Sequence, residues 1–223
     1  MRRQENIPRA AVIWRVALLV PVLFGAGIVH PAGVFAQRDP RGSFTEVGFS
    51  ISGGPMQAFG EHSATQGDFS GHLNLIHLRN FRYTGVGVEA SYRGDPHLEL
   101  FSIMGRIEAG LKEGRPVGRN VVGFNTLYMA LMAGYTTGAA WDVAYIDLYD
   151  SFEEVEVSVN GIPVYAALGW RRIGRMGLNI EAIGGLTIIT SQQAEESVGS
   201  APSLIPGVGL RVGIGFDTFF YSR

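Results

Sequence analysis

From Gly209 to Phe220 the chain reads "GLRVGIGFDTFF", and every second residue is apolar: Leu210, Val212, Ile214 and Phe216. Between them stand Gly209, Arg211, Gly213, Gly215 and Asp217. Strict alternation places the two sets on opposite faces of one strand. The same alternation recurs upstream. In "TEVGFSISGG", Val47, Phe49 and Ile51 oppose Glu46, Gly48, Ser50 and Ser52. In "GVGVEASYRG", Val86, Val88, Ala90 and Tyr92 oppose Gly87, Glu89, Ser91 and Arg93. In "GIPVYAALGWRR", Ile162, Val164, Ala166, Leu168 and Trp170 oppose Tyr165, Ala167, Gly169 and Arg171. In "LNIEAIGGLTII", Leu178, Ile180, Ala182, Leu186 and Ile188 oppose Asn179, Glu181, Gly185 and Thr187. "GHLNLIHLRN", "TLYMALMAGYTTG" and "WDVAYIDLYD" complete a set of strands with less clean faces. The pattern predicts eight strands of roughly ten residues, the length that crosses a bilayer at a tilt.

The connections differ in length. "NFRYT", "TGAA" and "GRMG" read as tight turns. "QAFGEHSATQGD", Gly94 to about Asn120, "DSFEEVEVSVNG" and "TSQQAEESVGSAPS" read as long loops. This alternation predicts short turns on one rim and long loops on the other. The second long loop has its own periodicity. Asp95 and Pro96 resemble a helix start, Leu100, Ile103, Met104, Ile107 and Leu111 follow helical spacing, and Gly114 can end the helix. The same stretch also reads as a strand with Phe101, Ile103, Ile107 and Leu111 on one side. That strand, with another at "EEVEVSVNGIP" turning at Asn160-Gly161, gives ten. The favoured expectation is eight strands with a short helix in this loop.

The opposed faces have a physical meaning. A strand in lipid cannot leave backbone groups unpaired, so it must belong to a closed barrel. The outer face of such a barrel meets hydrocarbon, and its narrow interior takes small residues and charges that pair with one another. The segment 1–36 supports export. It opens with Arg2, Arg3, Arg9 and Arg15, continues through an apolar run from about Val16 to Val29, and reaches Val34 and Ala36 at the spacing of a cleavage site. That layout is a secretory signal peptide, leaving 37–223 as a barrel domain. The chain has no cysteine, so neither disulfides nor a lipid-anchored N-terminal cysteine are available. With 31 glycines it is glycine-rich, and its net charge of −2 offers no basic field for nucleic acid.

The stretches "VGFSISGG", "GVGVEASY", "IPVYAALGWRRIGRMGLNIEAIGGLTII" and "GVGLRVGIGF" make the mature chain resemble the small eight-stranded outer-membrane β-barrels of Gram-negative bacteria, the OmpA-like or porin-family barrels. The resemblance implies an all-β, antiparallel, up-and-down transmembrane barrel in the cell outer membrane. Its partners would be membrane lipid and the outer-membrane assembly machinery, with an unidentified loop ligand. Such barrels usually end on an aromatic residue, whereas here Phe219, Phe220 and Tyr221 precede Ser222 and Arg223.

Candidate residues follow from the faces. Glu46, Glu89, Arg171, Glu181, Arg211 and Asp217 form an expected lumen charge network, with Arg211 pairing with Glu181 or Glu46. Val164, Leu168, Leu178, Ile180, Ile188, Leu210, Val212, Ile214 and Phe216 are expected to face lipid. Trp141, Trp170, Phe219, Phe220 and Tyr221 are expected at the membrane boundaries. No catalytic, metal or cofactor motif emerges. His62, His72, His77 and His97 lack metal-ligand spacing, and "GVGLRVGIG" has neither the helix nor the lysine of a phosphate loop. The expected function is a structural or loop-mediated binding role with a lumen plugged by side chains. The alternatives are a soluble exported lipocalin-like carrier, a narrow channel, and a rim-site lipid-modifying enzyme.

Overall fold

The computed structural model describes residues 43–79, 82–113, 124–146, 151–173, 177–194 and 201–217. They form eight strands: β1 (Ser43–Ala58), β2 (Thr65–Arg79), β3 (Arg82–Asp95), β4 (Leu98–Glu113), β5 (Phe124–Ile146), β6 (Ser151–Ile173), β7 (Gly177–Ala194) and β8 (Leu204–Asp217). Each pairs antiparallel with its neighbour in sequence, and β1 pairs antiparallel with β8 to close a barrel. Closure leaves no sheet edge, so along the paired registers each strand's backbone groups find partners on both sides.

The strand count agrees with the sequence pattern, but three of the expected elements do not: a helix, a turn and a loop. Of the residues expected to form a helix, Leu98–Glu113 are β4, paired to β3 from Leu98 to Leu111 on one side and to β5 along its whole length on the other. Asp95 still accepts backbone hydrogen bonds from His97 (2.8 Å) and Leu98 (3.1 Å), as a helix cap would. Here they close a turn of two residues, Pro96 and His97, between β3 and β4. The stretch "TLYMALMAGYTTG" and the first part of "WDVAYIDLYD", as far as Ile146, are one strand, β5, so "TGAA" is no turn: Thr137 pairs with Phe101 and Asn160, and Ala139 with Glu99 and Ser158. "DSFEEVEVSVNG" from Ser151 onward lies within β6 and is not a loop, and Asn160-Gly161 marks a register shift against β7, not a hairpin.

These changes alter the rims. The β3–β4 connection is the two-residue turn at Pro96, while residues 114–123 join β4 to β5 at the opposite end. Long and short connections are therefore mixed, and the expected sorting by rim does not hold. The expected signal peptide, 1–36, lies outside the described residues, as do Phe219, Phe220 and Tyr221.

The two faces of the sheet have inverted polarity. Outside, Leu73, Val86, Val88, Ile103, Ile107, Leu127, Met129, Leu131, Leu168 and Leu210 are all exposed. Inside, Asp68, Glu89, Arg106, Glu108, Arg171, Glu181 and Arg211 are buried. The apolar exterior forms a continuous belt. It gives way at one end to Gln57, Thr65, Glu99, Thr137, Ser158 and Thr190, and at the other to His77, Arg82, Asn125 and Arg172. On β8 the belt runs from Leu204 to Phe216. At ~3.3 Å per residue and a tilt near 40°, that is roughly 30 Å in height.

Candidate functional site

Two places concentrate chemistry: the middle of the lumen and a cleft at one rim. In the lumen, four carboxylates (Asp68, Glu89, Glu108, Glu181) and four guanidiniums (Arg93, Arg106, Arg171, Arg211) are buried, so the interior charges of the described residues cancel. Arg106, on β4, is the hub. Its Nε donates to Glu108 Oε1 at 2.6 Å, one Nη donates to Glu89 Oε2 at 2.7 Å, and the other donates to Glu181. Arg211 spans Asp68 with Nε and Nη2, and its Nη1 donates to Glu89 Oε1 at 2.7 Å. Glu89 thus bridges two arginines. Such charge-assisted bonds are the strong ones, and the planar guanidinium fork suits them.

Tyrosines extend the network toward both ends. Arg171 donates to Tyr83 Oη at 2.8 Å and to Glu108 Oε1 at 3.2 Å, and its guanidinium lies 4.9 Å from the centre of the Tyr128 ring. Tyr83 donates to Glu108, and Tyr128 Oη lies 2.5 Å from Glu181 Oε1. The Arg93 guanidinium lies 4.6 Å from the centre of the Tyr165 ring and donates to the same residue's hydroxyl. His72 Nε2 lies 2.5 Å from Ser50 Oγ and 2.9 Å from Arg171 Nη2. An arginine on that nitrogen requires the imidazole to accept there. Beyond these charges, toward the Asp95 end, an apolar cluster fills the lumen with Leu98, Leu100, Val157, Val159, Ile189 and Ile205.

Of the charges singled out by sequence, Glu89, Arg171, Glu181 and Arg211 are together in this network. The side chains of Glu46 and Asp217 lie outside the described ones. Glu181 stands opposite Arg211 in the register, but Arg211 Nη1 is 3.9 Å from Glu181 Oε2 and forms its hydrogen bonds with Asp68 and Glu89. Glu181 thus keeps an ion pair with Arg211 while its hydrogen bond from a guanidinium comes from Arg106. Sequence reading missed Arg106 and Glu108 because it placed them on a helix. It missed Asp68 and His72 because the start of β2 was read as loop and its faces were unclear. Alternation across "DFSGHLNLIH" was the available signal: Asp68, Ser70, His72, Asn74 and Ile76 are all buried.

The outward set behaves as a set. Val164, Leu168, Leu178, Ile180, Ile188, Leu210, Val212 and Ile214 are exposed, and Phe216 is half-buried. Trp141 and Trp170 are half-buried near opposite ends of the barrel, opposite Glu156 and Leu127 respectively.

At the rim beyond the belt, a cleft of about 390 Å³ is lined by residues including Glu61, His62, His97, Leu98 and Trp141. Asp95 organises its base, accepting from His62 Nε2 at 2.6 Å and from Gln66 Nε2 at 2.8 Å. Burial opposes ionisation of Asp95, but the hydrogen bonds from Gln66, His62 and the His97 amide outweigh it and hold the carboxyl below its ordinary range. A histidine oriented by a carboxylate is half of a hydrolytic triad. Among the described residues the side-chain bond of His62 goes to Asp95 and not to a serine. Among the described residues, no group of three or more His, Asp or Glu is placed to hold a metal ion.

Fold and site together define a class: an eight-stranded antiparallel β-barrel with an ion-paired polar interior and an apolar exterior. No family model and no curated protein matches the chain. Among solved structures the chain is similar to Neisserial surface protein A (NspA), with 12% identity, 78% of this chain and 98% of that one covered, and a TM-score of 0.43. It is also similar to the N-terminal beta-barrel domain of Pseudomonas aeruginosa OprF, with 14% identity, coverage of 76% and 96%, and a TM-score of 0.33. A major outer membrane protein from Thermus thermophilus has 10% identity, coverage of 78% and 98%, and a TM-score of 0.38. At these values the likeness is one of outline.

Proposed function

We propose that this protein is an outer-membrane β-barrel, exported by the signal peptide at 1–36, with a structural or loop-mediated binding role and a lumen plugged by side chains. The inversion of polarity carries the reading. A protein folded in water hides its large apolar side chains and exposes its charges. Here Leu111, Met129 and Val86 are 63%, 65% and 55% exposed, while Arg106 and Glu181 are 0% exposed. A contiguous apolar exterior far larger than a monomer's usual patch needs lipid around it. A closed barrel with a belt roughly 25–30 Å tall suits a bilayer. A lipocalin-like carrier would need the opposite faces, apolar inward around a cavity. The rim cleft, with its Trp141 and its oriented His62, is where a loop ligand would bind.

Cell fractionation tests the location. The protein should enter the membrane fraction, resist salt and alkaline washing, and require detergent for release. Unheated samples should migrate differently from boiled ones on a detergent gel. Release by washing without detergent would overturn the proposal.

A further inference from the structure

The two ends of the barrel differ in charge: among the described residues one mixes four basic with three acidic residues, and the other is strongly acidic. At the end where β2 meets β3, Arg79 stands opposite Arg82 in the register. Further round the same end Lys112 pairs with Thr126, and Arg172 with Asn125. Glu46 and Asp217 hold inner-face register positions here, and Glu113 an outer one. At the opposite end stand Glu61, Asp95, Glu99, Asp142, Glu153, Glu154 and Glu156. Among the described residues the lysine and arginine at that end reduce to Arg93, which is buried and turned onto Tyr165.

The basic residues also sit at a defined depth. Arg82 and Arg172 are exposed on the outer face. Arg172 lies two residues past Trp170 and four past Leu168, and Arg82 four before Val86, so both border the apolar belt directly. In a bilayer, the layer next to the hydrocarbon holds the lipid phosphates. Basic side chains at that depth attract anionic headgroups, and a guanidinium binds phosphate oxygens in a fork.

We propose that this rim docks the headgroups of anionic phospholipids, with Arg82 and Arg172 as the phosphate-binding side chains. The proposal rests on the membrane reading above and adds a lipid preference confined to one leaflet. It gives the barrel a fixed sense in the membrane: the end bearing Arg82 and Arg172 lies against the anionic leaflet, and the acidic end faces away from it.

Trp170 is a built-in reporter beside Arg172. The full chain carrying Trp14→Phe and Trp141→Phe keeps Trp170 as its single tryptophan. Folded into vesicles, it should be quenched more strongly by brominated phosphatidylglycerol than by brominated phosphatidylcholine at equal mole fraction. The preference should be roughly fivefold for one cation at the surface. Arg172→Gln should abolish it, and Arg172→Lys, which keeps the charge, should retain it. A companion chain with Trp14→Phe and Trp170→Phe, reporting from Trp141 at the acidic end, should show no such preference. Equal quenching of Trp170 by the two lipids would overturn the docking, as would a preference that survives Arg172→Gln or appears equally at Trp141. Quenching by neither lipid at either tryptophan would overturn the membrane reading itself, and the docking with it.

Discussion

Arg106 occupies the centre of the lumen, 0% exposed, with three carboxylates around one guanidinium. Removing it leaves Glu89, Glu108 and Glu181 crowded in a water-poor interior, although Arg211 and Arg171 still compensate part of their charge. Breaking a buried pair by deleting one partner typically costs about 3–5 kcal/mol. Arg106→Met should therefore lower the unfolding free energy by about that amount, read from urea titration of the protein folded in lipid vesicles. An unchanged midpoint would show that the network contributes nothing net. Packing offers a second test at the same scale. A Cβ at Gly169 would run into the ring of Tyr128, which Arg171 and Arg106 hold by cation–π contact at 4.9 and 5.9 Å. That ring has little room to yield. Gly169→Ala should cost about 1–3 kcal/mol through overpacking, whereas Gly105→Ala, on the exposed outer face, should be close to neutral.

At the scale of the element, β4 is the instructive strand. Its apolar residues Leu100, Ile103, Met104, Ile107 and Leu111 satisfy a helical period when counted alone. The strand divides them instead: Ile103, Ile107 and Leu111 point outward, while Leu100 and Met104 are buried with Arg106 and Glu108. A helix spacing cannot see this, because an inner face that mixes methionine, arginine and leucine has no consistent polarity. What decides the strand is pairing with β3 and β5 along both sides, a long-range gain that local periodicity does not contain. The clean strands were legible because small or charged residues opposed the aliphatic ones, as in β3, β7 and β8. The long β5 and β6 were not, because their extensions past Thr137 and before Asn160 leave the apolar belt, and in β6 the alternation continues with its polarity reversed: Val157 and Val159 are buried while Glu156 and Ser158 are exposed. The candidate network was half legible for the same reason: Glu181 and Arg211 lie on clean strands, Arg106 and Asp68 do not. An arginine tests the outer face directly. Ile107→Arg and Ile214→Arg should each cost roughly 2–4 kcal/mol for the barrel in lipid. If Ile107→Arg were tolerated while Ile214→Arg was not, the outer face of β4 would not meet hydrocarbon.

For the whole molecule, the question is whether anything passes through. An eight-stranded barrel is only just wide enough for its own side chains. Here the cross-section is occupied at two levels. Arg106, Arg211, Glu89 and Glu181 link β3, β4, β7 and β8 across the middle, and Leu98, Leu100, Val157, Val159 and Ile205 fill the end beside Asp95. An ion entering would have to displace charge-assisted bonds at the first level and wet an apolar plug at the second. The buried charges also sum to zero among the described residues, four against four, so the lumen presents no net field to draw ions of either sign. The intact protein in a planar bilayer should therefore show no large, stable open-channel steps. Such steps, seen at single-channel resolution and absent from protein-free membranes, would sink the plugged barrel and favour a narrow channel. Arg106→Met gives the contrast: with the hub removed but the apolar end intact, conductance should remain closed even as stability falls, because the two levels block independently.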